Sequence, residues 1–276
     1  MNKLNISSNT KELINITKNI LDPSKFGKKL IFIRSCENMG SLSGCLTGWL
    51  DAKLSDYGRK QAKYLSIEYF ANFHSKQFRN FYLSDLIRAK ETAEMCMGYD
   101  TDIKYQTLPE LREINFGDKE GYFYDGLPKE EKEKLNKINN KFSSGESWLD
   151  VKYRCIKFLS TMSYFDEKTA FNKKNNVDLV FTHGGFITSF LYTKSIKSLP
   201  PNGSVIIVSL SDNLEQDKGK IKSLLNEFSK LYNCTDESYN DVLFNKYNPC
   251  FEEYLDKCVK DIEFVYNLPD MTEELL

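Results

Sequence analysis

Histidine is almost missing from this chain: only His74 and His183 occur among 276 residues, so a histidine-rich metal centre has no ligands to draw on. Cysteine is present seven times, but the residues are odd in number, widely spread and include no Cys-x-x-Cys pair. That pattern argues against a disulfide framework or a zinc site and for reduced thiols packed as small hydrophobes. No apolar run approaches the roughly 20 residues a membrane helix needs, and the polar opening MNKLNISSNTKELINITKN lacks the apolar centre of a secretory signal. The expectation is a cytoplasmic protein with no membrane contact. An excess of one charge is also lacking, with 38 Lys and Arg against 39 Asp and Glu. No whole-protein field therefore favours nucleic acid or an anionic surface, and partners must be sought at sites. Neither common glycine-rich phosphate loop and no internal repeat is found.

What is present is a chain that can bury a substantial core, 41% hydrophobic and 13% aromatic. Short apolar, β-branched or aromatic stretches at 30–33, 78–84, 102–106, 177–182 and 204–210 read as buried strands. Helical spacing and start signals fill 55–73, 85–98, a segment near 147–164, and 185–196. This alternation predicts a three-layer α/β/α domain with a mostly parallel sheet, with a ligand site beyond the carboxyl ends of the strands. The expected division is an N-terminal extension over 1–28, a core domain over 29–211, and a helical C-terminal extension over 212–276 with no further strand. The charged stretch 127–142 reads as a solvated helix or a lid.

The chemistry begins at the first strand, where LIFI is followed by Arg34, Ser35 and Cys36. An arginine at a strand end is a good anion clamp, because its planar fork matches phosphate or carboxylate. Six arginines stand against 32 lysines, so the composition supplies lysine wherever charge alone suffices. The arginines should mark special positions. Arg34 with Glu37 or Glu113 also reads as a structural ion pair, and His183 beside Gly184 and Gly185 as a polar group at a helix start.

Five arginines fall within ordered motifs: FIRSCEN with Arg34, LSDYGRKQA with Arg59, LSDLIRAKETAE with Arg88, LREINFGDKEG with Arg112 and Glu113, and GESWLDVKYRCIKFL with Arg154. VFTHGGFITSFL with His183 completes the series. In order and spacing, over about residues 29–210, the chain resembles the histidine phosphatase superfamily, the phosphoglycerate mutase-like proteins. The resemblance implies phosphoryl transfer through a histidine without metal or cofactor. It assigns phosphate binding to Arg34, Arg88 and His183, and the proton-donating acid to Glu113. The short segment between Glu113 and Gly145 is nearer to the phosphatase branch than to the cofactor-dependent mutases.

The chain departs from the family pattern at the nucleophile. Ser35 stands where the resemblance places the catalytic histidine, Cys36 where it places glycine, Ser41 where it places a phosphate-binding asparagine, and Lys119 where that branch often carries tryptophan. A serine hydroxyl is a poor nucleophile without an adjacent base. Cys36 is the better nucleophile by chemistry, or else a small residue filling the space of the absent imidazole. Two readings follow. One is a degenerate pseudophosphatase that binds a phosphorylated small molecule or phosphoprotein. The other is a working phosphatase or mutase that uses Cys36 or an activated water. A homodimer is compatible with either.

Overall fold

A computed structural model describes residues 6–22, 27–98, 100–169, 176–194, 196, 198–211, 218–231 and 237–269. Its strands are β1 (Ile6–Ser7), β2 (Lys29–Arg34), β3 (Phe81–Leu83), β4 (Tyr105–Thr107), β5 (Val177–Thr182), β6 (Val205–Leu210) and β7 (Val259–Tyr266). Its α-helices are α1 (Thr10–Ile20), α2 (Met39–Leu42), α3 (Asp56–Tyr64), α4 (Ile87–Met97), α5 (Lys129–Asn136), α6 (Trp148–Thr169), α7 (Gly184–Leu191), α8 (Lys218–Leu231) and α9 (Glu237–Cys258).

All seven strands form one sheet in the order β1-β7-β6-β2-β5-β3-β4. Only β6 runs against the others, pairing antiparallel with β2 and β7. The six-residue strands β2, β5 and β6 are apolar on both faces because both faces are covered. In β2, Leu30 and Phe32 enter one buried cluster while Ile31 and Ile33 enter the other, as the two-residue period of a strand requires. The first cluster is completed by α6, α7 and the C-terminal helices, through residues such as Phe158, Phe186, Phe228 and Phe251. The second is completed by α1, α3 and α4, through Leu13, Ala62 and Ala93. The fold is thus the expected three-layer α/β/α arrangement with a mostly parallel sheet.

The C-terminal segment departs from the expectation of helix alone, because β7 is a full member of the sheet and parallel β1 pairs along its outer edge. Register shifts between Ile207 and Val208 and between Ser209 and Leu210 interrupt the β6–β7 ladder. Bulges of this kind break the alternation in VKDIEFVY by which a strand is recognised. The stretch 55–73 also divides: α3 gives way to a π-turn at Leu65–Tyr69 and a 3₁₀ turn at Phe70–Asn72. Among the described residues, no helix is long and apolar enough to cross a membrane.

Candidate functional site

The site is built by strand register. Arg34 pairs with Thr182 and Leu83 with Phe181, so the residues that follow β2, β5 and β3 emerge side by side at one carboxyl edge. These residues are Ser35, His183 and Ser84. Ser35 donates its backbone N–H to Thr182 O at 2.8 Å, and Ser84 donates to Phe181 O at 3.0 Å. Their side chains form a row, with Ser35 Oγ 3.4 Å from His183 Nδ1 and Ser84 Oγ 2.8 Å from His183 Nε2. Arg88 enters from the first turn of α4, and Glu113 from the loop that follows a 3₁₀ turn at Pro109–Leu111.

Arg34, Ser35, Ser41, Arg88, Glu113 and His183 all border a single cleft of about 260 Å³. Two guanidiniums in a small buried space repel each other and lose hydration, and burial lowers the pKa of both, that of Arg88 to about 10. Even so, both stay charged at neutral pH. The other four arginines each hold a carboxylate: Arg59 with Glu91, Arg79 with Asp178, Arg112 with Asp85 and Arg154 with Glu146. Arg34 and Arg88 have no ion-pair partner among the described residues. Arg34 donates to Pro200 O, and Arg88 to Gly48 O at 2.7 Å and Leu50 O at 3.0 Å. Neutral carbonyls orient the two forks, and the Glu113 carboxylate in the same cleft offsets part of their charge without a direct ion pair. The ion pair of Arg34 with Glu37 or Glu113 is therefore not formed. The Glu37 carboxylate instead accepts from Ser55 Oγ at 2.6 Å.

Glu113 is fixed by α7. Its Oε1 accepts the N–H of Gly185 at 2.8 Å and of Ile114 at 2.9 Å, the favourable placement for a carboxylate at a helix N-terminus. Glycine at 185 is a steric requirement, since a methyl group there would overlap the Glu113 carboxylate. Ser41 borders the cleft but is engaged locally. Its hydroxyl donates to Asn38 O at 2.9 Å and accepts from Asn38 N at 3.0 Å, closing a capping box on α2.

Cys36 is turned away. Its side chain has 0% exposure and packs in the cluster on the α1, α3 and α4 side of the sheet, not in the cleft. Burial pushes its thiol up to about 12, with smaller opposing effects from Thr92 and Arg34. Such a group is not a thiolate at neutral pH. This orientation weighs against Cys36 as a displaced nucleophile and against its filling the space of the absent imidazole. Lys119 is likewise outside the cleft, 3.1 Å from Glu131 and above the Tyr122 ring.

His183 is 1% exposed, and its pKa is driven well below the ordinary value by burial and then by Arg88, Arg34 and Arg154. The folded state holds this ring neutral, whereas the unfolded chain protonates it near pH 6.5. Its contribution to stability is present above about pH 6.5 and is lost progressively as acid takes the pH below that value. Chemical denaturation of the parent between pH 7.5 and 5.5 should show this slope, and His183→Gln should flatten it. An unchanged slope in the variant would assign the dependence to other groups.

Several functional contributors were not singled out in the sequence. Ser84 holds the far side of the imidazole, Asn202 and Trp148 border the cleft, and buried Leu135 of α5 forms part of its wall. The last makes the charged stretch 127–142 more than a wet face. The available signal for Ser84 was its place at the end of a strand, immediately before LIRAKETAE.

The chain is 28% identical to phosphoglycerate mutase-like protein 4 of Arabidopsis thaliana over 173 residues, 60% of this chain and 70% of that protein. It is 28% identical to the adenosylcobalamin/alpha-ribazole phosphatase of Escherichia coli K12 over 142 residues, 50% and 68% of the two chains. Among solved structures, a phosphoglycerate mutase from Thermus thermophilus superposes with a TM-score of 0.52 at 30% identity, covering 65% of this chain and 92% of that one. The model of the histidine phosphatase superfamily (branch 1) matches residues 30–209, from the first core strand to the last residues of β6, and the chain belongs to that family.

Proposed function

We propose that this protein binds a phosphorylated ligand in the cleft without efficient phosphohistidine chemistry, as a pseudophosphatase. Ser35 takes the position at which the family carries its nucleophilic histidine. The observation that supports binding is the pair of guanidiniums without carboxylate partners, since charge-assisted bonds to phosphate would supply the missing counter-charge. The ligand class is a phosphorylated small molecule or a phosphoprotein. His183 would contribute as a neutral hydrogen-bonding group, and Glu113 would remain as an acid without a nucleophile to serve. Burial of Cys36 disfavours the alternative of a working phosphatase based on that thiol.

Inorganic phosphate at ten times its Kd should stabilise the folded state by about 1.4 kcal/mol, which raises Tm by a few degrees. Arg34→Ala should abolish the increment, and the parent should not turn over a generic aryl phosphate. A parent protein whose Tm ignores phosphate would sink the binding reading, and measurable turnover would sink the pseudophosphatase reading.

A further inference from the structure

Beside the anion cleft lies a second cavity of about 600 Å³, formed by the first turns of α6, the second half of α7 and the chain beyond it. The two cavities share Trp148 and Leu199 as bordering residues. Tyr192 and Ile138 complete the apolar part of the second one. Its polar side chains are those of Lys152, Thr188, Ser189 and Ser198, and Thr188 Oγ1 donates to Ser198 O at 3.3 Å. The ammonium of Lys152 is held by Glu252 and by Asn248 Oδ1 at 2.6 Å, and lies 5.0 Å from the centre of the Tyr192 ring. That cation is neutralised, so the cavity has no net demand for an anion. The hydroxyl of Ser189, a residue 3% exposed, has no hydrogen-bond partner. Of the buried side-chain polar atoms without a partner among the described residues, it alone belongs to a residue bordering either cavity. Its oxygen exposes less than 1 Å², so it lies behind the cavity wall and not on it.

We infer that this second cavity receives the organic part of the phosphorylated ligand, and that this part is an uncharged ring system. The inference rests on the anion-cleft reading above. A space of about 260 Å³ holds a phosphate and a few attached atoms, whereas small-molecule sites usually span roughly 300 to 1,000 Å³. Together the adjoining cavities reach that size. Aromatic side chains such as Trp148 and Tyr192 offer flat apolar faces to a ring. Among the described residues a small phosphorylated carboxylic acid would find no second uncancelled cation here, and a three-carbon chain would leave the space unfilled.

Isothermal titration of the full chain with inorganic phosphate, glycerol 1-phosphate, adenosine 5′-monophosphate, adenosine and a phosphoserine peptide tests this. Adenosine monophosphate should bind at least tenfold more tightly than glycerol phosphate. Tyr192→Ala, at a half-buried position that tolerates truncation, should remove that advantage while the phosphate Kd stays within twofold. If phosphate binds but all esters bind alike, the second cavity is not a ligand site. If the peptide binds more tightly than the nucleotide, the partner is a phosphoprotein and this inference is wrong. Failure of inorganic phosphate to bind would instead remove the anion-cleft reading, and adenosine binding that is sensitive to Tyr192→Ala would still support the cavity on its own.

Discussion

On the pseudophosphatase reading, Ser35→His is expected to produce a phosphohistidine, absent from the parent chain and detectable by intact mass after incubation with an activated phosphate donor. The surroundings are in place for it. Arg34, Arg88, Glu113 and His183 border the cleft with Ser35, and the small serine leaves room for a larger ring. A missing nucleophile can remove several powers of ten in rate, each worth about 1.4 kcal/mol, so even an imperfectly placed imidazole should rise above background. By the sequence pattern, Ser35→His alone should label less than Ser35→His with Cys36→Gly, which rebuilds Arg-His-Gly-Glu and relieves crowding. The structure removes that difference. Because the Cys36 side chain packs on the opposite side of the sheet edge, Cys36→Gly should leave labelling unchanged and lower stability by opening a void in a packed face. A Ser35→His variant that folds and binds phosphate yet never labels would show that the cleft lost more than its nucleophile, and a purely binding role would gain ground.

The difference over Cys36 illustrates what could be read from the sequence and what could not. The sheet was legible because the core strands are short apolar runs with turn signals between them, and the cleft because Arg34, Arg88 and His183 fall at strand ends or a helix start while Glu113 sits in an ordered motif. Side-chain direction just beyond a strand was not, because two adjacent residues leave the strand on different sides and only the packed neighbours show which is which. Neither Ser41 nor Glu37 could be assigned before the capping box and the Ser55 hydrogen bond were seen, since both are local side-chain preferences that compete with ligand binding. The strand β7 was hidden by its bulges. Arg154 carried a motif but no role; in the structure it lies behind the cleft, where it has the largest structural task of the six arginines.

Arg154→Met should therefore be far more damaging to stability than Arg34→Ala. The Arg154 guanidinium forks onto Glu146 with Nε to Oε1 and Nη2 to Oε2, both at 2.8 Å. It also donates through Nη1 to the carbonyls of Glu110 and Arg112 at 2.7 Å, and through Nη2 to that of Glu113 at 3.1 Å. One side chain of α6 thereby ties down the loop that presents Glu113. Arg154 is 7% exposed and Glu146 1%, so removal of the cation leaves a buried carboxylate without its fork and the carbonyls of Glu110 and Arg112 short of a donor, while Glu113 O keeps the Trp49 Nε1–H at 2.7 Å. Breaking a buried pair from one side costs about 3–5 kcal/mol, against a median near zero to one for exposed pairs. Chemical denaturation should show a loss of that size for Arg154→Met, and Arg154→Met with Glu146→Gln together should recover part of it, because the stranded charge is gone. Lysine at 154 keeps the charge but not the fork, so Arg154→Lys should fall between the parent and methionine. The phosphate-induced rise in Tm should survive in each variant that folds, since Arg34 and Arg88 are held by other elements. A loss below about 1 kcal/mol for Arg154→Met would mean that water reaches Glu146 and that the loop carrying Glu113 is held by its remaining contacts.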